Sequence, residues 1–350
     1  MSASSQRKET EIKIPFPSRS DHKIDLAGIL SQHDPSSSAV RRPLALILHG
    51  VLSHKSQSFH PLLASSLPID SLRFDFRGNA DSPLLEGQEW DMAGFHEDCR
   101  DLDAVVEWME EEYGYQVEAI IGHSRGSLIG WKWMSEAYGD DDLQGGSTVD
   151  NEERRWIQKR RQRGAGSGRA PPAWVSLCGR WNMDRIHDRD QVYAEQFKDK
   201  GFFEWKAKVA GKQVTARVTP AAVESFASYP IASYVSRYPS HSPPLLIHGT
   251  SDETVPSADV GYYINGLSAK HARTQSGTGS TWGQVHLVEG ANHMLRGKYD
   301  EVVAVIKQWY EAQRRGSSNE DGPQMALEAS QEGDVLERSW NETGAGKGKL

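Results

Sequence analysis

Cysteine is nearly absent: Cys99 and Cys178 are the only two in 350 residues. Two thiols are too few for a disulfide framework or a four-cysteine metal site, so a reducing compartment is expected, the cytosol with the nucleus as alternative. No stretch of about 18 apolar residues occurs, which excludes a membrane-spanning helix. Met1 to Lys8 is polar and no apolar run of about 7–15 residues follows it, so no secretory signal is expected. Positive charge is not in excess either. Forty basic against 48 acidic residues give a net of −8, which argues against general adhesion to nucleic acid or anionic membrane. The hydrophobic share of 37% lies below the roughly 45–50% usual for globular chains, and polar segments outside the core are expected.

What is present is an alternation of short apolar runs and amphipathic stretches. Ile24 to Leu30, Leu44 to Leu48, Leu72 to Phe76, Val117 to Ile121, Trp174 to Leu177, Leu245 to Ile247 and Val285 to Val288 have the length and composition of strands. Phe95, Cys99, Leu102, Val105, Val106 and Met109 recur at steps of three and four, one buried face of a helix. Leu128, Ile129, Trp131 and Met134 open another helix, and Val302, Val305, Ile306 and Trp309 a last one. Parallel strands need crossovers and have no wet face, so this order predicts an α/β fold with a mostly parallel central sheet and helices on both faces. The domain is expected over residues 21–313, after a polar N-terminal segment 1–20. Glu136 to Arg169 is acidic at Asp140 to Asp142, basic from Arg154 to Arg163, and without apolar periodicity; a mobile surface insertion is expected there. Residues 316–350 read as a disordered tail.

The strand Val117 to Ile121 runs straight into Gly122-His123-Ser124-Arg125-Gly126 and then into a helix. A nucleophile elbow needs this context: the serine sits on a strained turn, and glycines two before and two after remove Cβ atoms that would collide. Ser124 is therefore the candidate nucleophile. A serine hydroxyl needs a base, and the base a carboxylate that fixes its tautomer. After Leu245 to Ile247 the loop reads His248-Gly249-Thr250-Ser251-Asp252-Glu253, making Asp252 the candidate acid and Glu253 its rival. After Val285 to Val288 comes Glu289-Gly290-Ala291-Asn292-His293, making His293 the candidate base. His248 reads as structural and His123 as a neighbour of the elbow. Acyl transfer also needs two donors for the oxyanion; the amide of Arg125, next after the serine, and that of Val51, after His49-Gly50, hold the expected positions.

These residues carry a resemblance. His49-Gly50-Val51, then Phe74 to Ser82, Gly122 to Gly126, Cys178-Gly179-Arg180-Trp181, His248 to Pro256 and Gly290 to His293 resemble the α/β-hydrolase superfamily, in its cinnamoyl/feruloyl-esterase-like and serine-aminopeptidase-like branch with plant and fungal relatives. The resemblance covers roughly Ile24 to Gln313 without the insertion. It implies a small cap between the sixth and seventh strands, about residues 179–240, and hydrolysis of carboxylic esters without a metal or organic cofactor. In that cap Tyr193, Phe197, Phe202, Phe203 and Trp205 either hold an acyl group or pack the cap onto the sheet. The sequence departs from the branch at Ser127, where a second glycine is common, and in the insertion.

The function expected is that of a serine hydrolase forming an acyl-enzyme on Ser124 and taking a small ester or acyl substrate. A thioesterase or aminopeptidase would use the same triad. A different class, an interaction protein that keeps the fold for binding, draws on the basic run Arg154 to Arg163, which otherwise reads as a solvated loop.

Overall fold

Strict alternation of buried side chains organises the sheet, because successive residues of a strand face opposite sides. In one central strand Leu44, Leu46 and Leu48 enter one core cluster and Ala45 and Ile47 the other. The computed structural model describes residues 7–16, 24–37, 39–140, 150–274 and 282–318. In chain order its elements are β1 (Lys8–Phe16), β2 (Ile24–Gln32), β3 (Arg42–Leu48), α1 (His60–Ser66), β4 (Asp70–Phe74), α2 (Phe95–Glu111), β5 (Tyr115–His123) and α3 (Arg125–Tyr138). There follow α4 (Asn151–Arg163), β6 (Ala173–Leu177), α5 (Asp190–Lys200), β7 (Phe203–Val209), β8 (Lys212–Val218), α6 (Pro220–Ala227), α7 (Ile231–Arg237), β9 (Leu245–Gly249), α8 (Asp259–Thr274), β10 (Gln284–Val288) and α9 (Tyr299–Ser318). Met1–Glu311 form one compact unit; of the second, Ala312–Leu350, only the end of α9 is described. The expected tail 316–350 thus falls almost wholly outside the described residues, as do 141–149 of the expected insertion.

Eight strands make one sheet in the order β1-β2-β4-β3-β5-β6-β9-β10. β2 runs antiparallel to β1 and β4, and the rest are parallel. One face is covered by apolar residues of α2, α3 and α8, the other by those of α1 and α9. This is the expected α/β fold, with both sheet faces buried as parallel strands require. Between β6 and β9 a separate hairpin, β7 with β8, and helices α5 to α7 close over one end. There Tyr193, Phe197, Phe203 and Trp205 pack with Val218, Val223 and Met92, while Phe202 lies 4.0 Å from the Arg217 guanidinium. Among the described residues no helix is long and apolar enough to cross a membrane.

Two segments differ from the sequence reading. Lys8–Phe16, placed in a polar N-terminal segment, is the edge strand β1: Ile12, Ile14 and Phe16 are buried while their neighbours face water. The expected surface insertion contains α4, capped by the Asp150 side chain on the Glu153 amide at 2.8 Å. It has no apolar stripe because its interface is ionic. Arg160, fully buried, pairs with Asp103 at 2.7 Å and with Glu136. Lys159 reaches Glu107 at 2.7 Å, and Arg163 reaches Glu107, Glu110 and Glu111. Three basic residues of the run, Lys159, Arg160 and Arg163, are therefore engaged by acids of α2.

Candidate active site

Between β5 and α3 the chain turns at Ser124 with φ 53° and ψ −115°, a left-handed backbone that a non-glycine residue adopts only under constraint. The flanking glycines make the turn fit. A Cβ at Gly122 would stand 2.4 Å from the Gly126 carbonyl oxygen, and one at Gly126 would stand 2.6 Å from that of Leu48. Substitution at either would push backbone against backbone. The Ser124 amide donates to the Leu177 carbonyl at 2.8 Å, tying the turn to β6.

The loops after β9 and β10 bring two more of the expected residues to this turn. His293 Nε2 lies 2.9 Å from Ser124 Oγ, and its Nδ1 lies 2.7 Å from Asp252 Oδ2. With the carboxylate accepting from Nδ1–H, Nε2 is left as the acceptor for the serine hydroxyl. Asp252 is itself held rigidly: its Oδ1 accepts from the Thr254 and Val255 amides, each at 2.8 Å. Burial would raise its pKa, but hydrogen bonds from His248 and His293 and from the Val255 amide outweigh that and keep the carboxyl well below its ordinary range. Glu253, the rival acid, is exposed to solvent.

His248, read as structural, has a further contact that the sequence did not signal. Its Nε2 lies 2.9 Å from the Val255 carbonyl and 3.2 Å from Asp252 Oδ2, so one N–H spans the loop and the acid. His123 donates from Nε2 to the His293 carbonyl at 2.8 Å, and burial, then the neighbouring His293, depresses its pKa to about 3. It is a neutral strut beneath the base. His49 is another: it accepts the Phe76 amide at 3.1 Å and lies 2.8 Å from the Gly50 carbonyl, with a pKa lowered to about 4 chiefly by burial. Lys55 fixes the same loop through Asp75 and Asp81, each 2.6 Å from Nζ.

Gly50, Val51, Ser124, Arg125 and His293 share the wall of a cavity of about 300 Å³. The Arg125 side chain turns aside to Asp98, 2.7 Å from Nε, and stacks 4.6 Å from the Phe95 ring centroid. Apolar residues Met92, Leu128, Ile186, Trp205 and Phe226 line it, together with Arg180 and Arg189. These lie in separate segments with no shared motif. Arg180 alone had a positional signal, since it follows the C-terminal end of a parallel strand, where α/β sheets bind ligands. Among the described residues one group has the spacing of metal ligands, Cys178, His248 and Asp252. Asp252 is already engaged by both histidines, and burial raises the Cys178 thiol pKa first, with Asp252 adding to it. The donor set therefore reads as a hydrogen-bonded shell around the acid, not a metal site.

Comparison with known proteins gives the family. Residues 43–295 match the family model described as alpha/beta hydrolase fold. No curated protein matches the sequence. Among solved structures, Est1E from Butyrivibrio proteoclasticus with ferulic acid bound is similar with a TM-score of 0.57 at 17% identity, over 87% of this chain and 99% of that one. The Pyrococcus furiosus esterase Pf2001 is similar with a TM-score of 0.52 at 15% identity, over 87% and 91% of the two chains. The esterase domain of a Rhodothermus marinus protein gives 0.50 at 16% identity, over 88% and 98%. At such identities the likeness is one of fold. By the match over residues 43–295, this chain belongs to the α/β-hydrolase fold family.

Proposed function

We propose that the chain is a serine hydrolase that cleaves carboxylic esters. The observation that carries the reading is the continuous hydrogen-bonded path Ser124 Oγ, His293, Asp252, at 2.9 and 2.7 Å, opening on a cavity. Ser124 attacks the ester carbonyl while His293 Nε2 takes its proton, and Asp252 holds the imidazole in the required tautomer and stabilises its charge. The tetrahedral oxyanion is held by the amides of Val51 and Arg125. Support for Val51 is the close approach of its turn, since a Cβ at Gly50 would stand 3.3 Å from Ser124 Cβ. His293 then returns the proton to the leaving alcohol, and water, activated by the same imidazole, releases the acid from the acyl-enzyme. The working domain covers residues 21–313 together with β1, with the cap at about 179–240. That two similar structures are called esterases, and a third holds ferulic acid, favours esters as the acyl donors. Turnover of p-nitrophenyl esters by the wild type, with none by Ser124→Ala, is the expected result; equal rates in both would remove the mechanism.

A further inference from the structure

Three arginines, Arg125, Arg180 and Arg189, line the cavity around Ser124, and no acidic residue does. The charge of Arg125 is cancelled by Asp98. Elsewhere the chain pairs its buried arginines with carboxylates, as at Arg77 with Asp101, Arg73 with Glu9 and Arg160 with Asp103. Arg180 is half-buried and Arg189 exposed, and both line the cavity. Among the described residues neither has a carboxylate within ion-pair distance, and the acids around them are engaged elsewhere. Asp188 pairs with Arg185 at 3.0 Å and Asp190 with His187 at 3.2 Å. Asp259, whose field reaches Arg180, gives its Oδ2 to the Trp181 and Asn182 amides at 2.7 and 3.3 Å.

Arg180 is also positioned: its Nη2 donates to the Thr254 carbonyl at 2.7 Å, on the loop that carries Asp252, and Arg189 lies near the Tyr193 hydroxyl. Burial lowers the Arg180 pKa, Asp259 opposes it, and Arg189 and Arg185 lower it further. Like charges have thus been brought together at the base of the cap in a chain whose net charge is −8. The same cavity is lined by the apolar side chains Met92, Ile186, Trp205 and Phe226. A guanidinium with unused donors in a cavity that also has apolar walls is suited to a planar or tetrahedral oxyanion on an apolar stem.

Resting on the hydrolase reading above, we infer that Arg180 and Arg189 form a subsite for an anionic group of the substrate. The preferred esters then carry a carboxylate or phosphate on the part that lies against the cap. The test compares kcat/KM of the full chain for p-nitrophenyl butyrate with that for mono-p-nitrophenyl glutarate and for 4-(butyryloxy)phenyl phosphate, which separate the carboxylate and phosphate sources. At least one anionic ester should be preferred over the neutral one. In an Arg180→Gln/Arg189→Gln double variant that ratio should fall by about tenfold or more, and Arg→Lys at both positions should retain most of it. Discrimination against both anionic esters in the wild type, or an unchanged ratio in the double variant, would overturn the subsite. Calorimetric titration with glutarate, inorganic phosphate and neutral glutaramide keeps the two readings apart. A chain that binds either anion but hydrolyses no ester keeps the subsite and loses the hydrolase function; a chain that binds neither anion has no subsite.

Discussion

The cavity around Ser124 and the interface of α4 are built from the same kinds of residue, yet they spend their charges differently. At α4 every strong contact closes on itself: Arg160 is buried between Asp103 and Glu136, and Lys132 between Glu136 and Glu153. At the cavity Asp252 is spent on His293 and His248, but the chain of contacts ends on a hydroxyl that faces open space. What sets the candidate site apart from a structural charge cluster is thus not composition or burial. It is whether one member is left with an unused valence facing a volume that a ligand can enter.

Substitution breaks this comparison most sharply. Ser124→Ala should lower ester turnover by about 10^4-fold or more, as expected for removal of a triad nucleophile, with the melting temperature unmoved. The corresponding change at α4 should do the reverse. Arg160→Met leaves two buried carboxylates short of a partner, and a loss of about 3–5 kcal/mol is expected in urea unfolding while turnover per folded molecule is kept.

Acidity should separate the regions at smaller amplitude per pH unit. His49 and His123 are buried neutral around the candidate site, with pKa values lowered to about 4 and about 3. Below the unfolded value of about 6.5 the unfolded chain binds protons that these folded histidines refuse. Stability is therefore full above pH ~6.5 and should fall by about 1.4 kcal/mol per pH unit for each histidine as pH drops toward 4. Urea titrations across that range would check the slope, and a flat profile would mean these rings accept protons in the folded state. The smallest effect is expected at the rim of α4. Lys159 is half exposed beside Glu107, so Lys159→Ala should cost roughly 0.2–1 kcal/mol and less in high salt.

The site was more legible in the sequence than the interface because each of its members follows a strand whose apolar run marks where it ends. Ser124 follows β5, Asp252 follows β9 and His293 follows β10, so position along the chain implies position at one edge of the sheet. No such rule predicts that Arg160 meets Asp103, 57 residues earlier. Helix α4 itself did leave a signal, Asp150 at the cap with Glu152 and Glu153 in the first turn and arginines in the last; it was obscured by the lack of an apolar face. Strand β1 was hidden in the same way, its alternating Ile12, Ile14 and Phe16 masked by the water-facing Glu11, Lys13 and Pro15. The rest of the cavity lining was less legible: Trp205 stood among cap aromatics with two open roles, and Met92 and Ile186 carried no signal in the sequence.

The account turns on whether one serine in this chain, and not the others, is made nucleophilic by an imidazole at 2.9 Å. Labelling the full chain with a fluorophosphonate and locating the adduct by mass spectrometry tests that without any choice of substrate. The adduct should sit on Ser124 and be lost in His293→Ala; an unlabelled wild type, or a label that persists without His293, would contradict it.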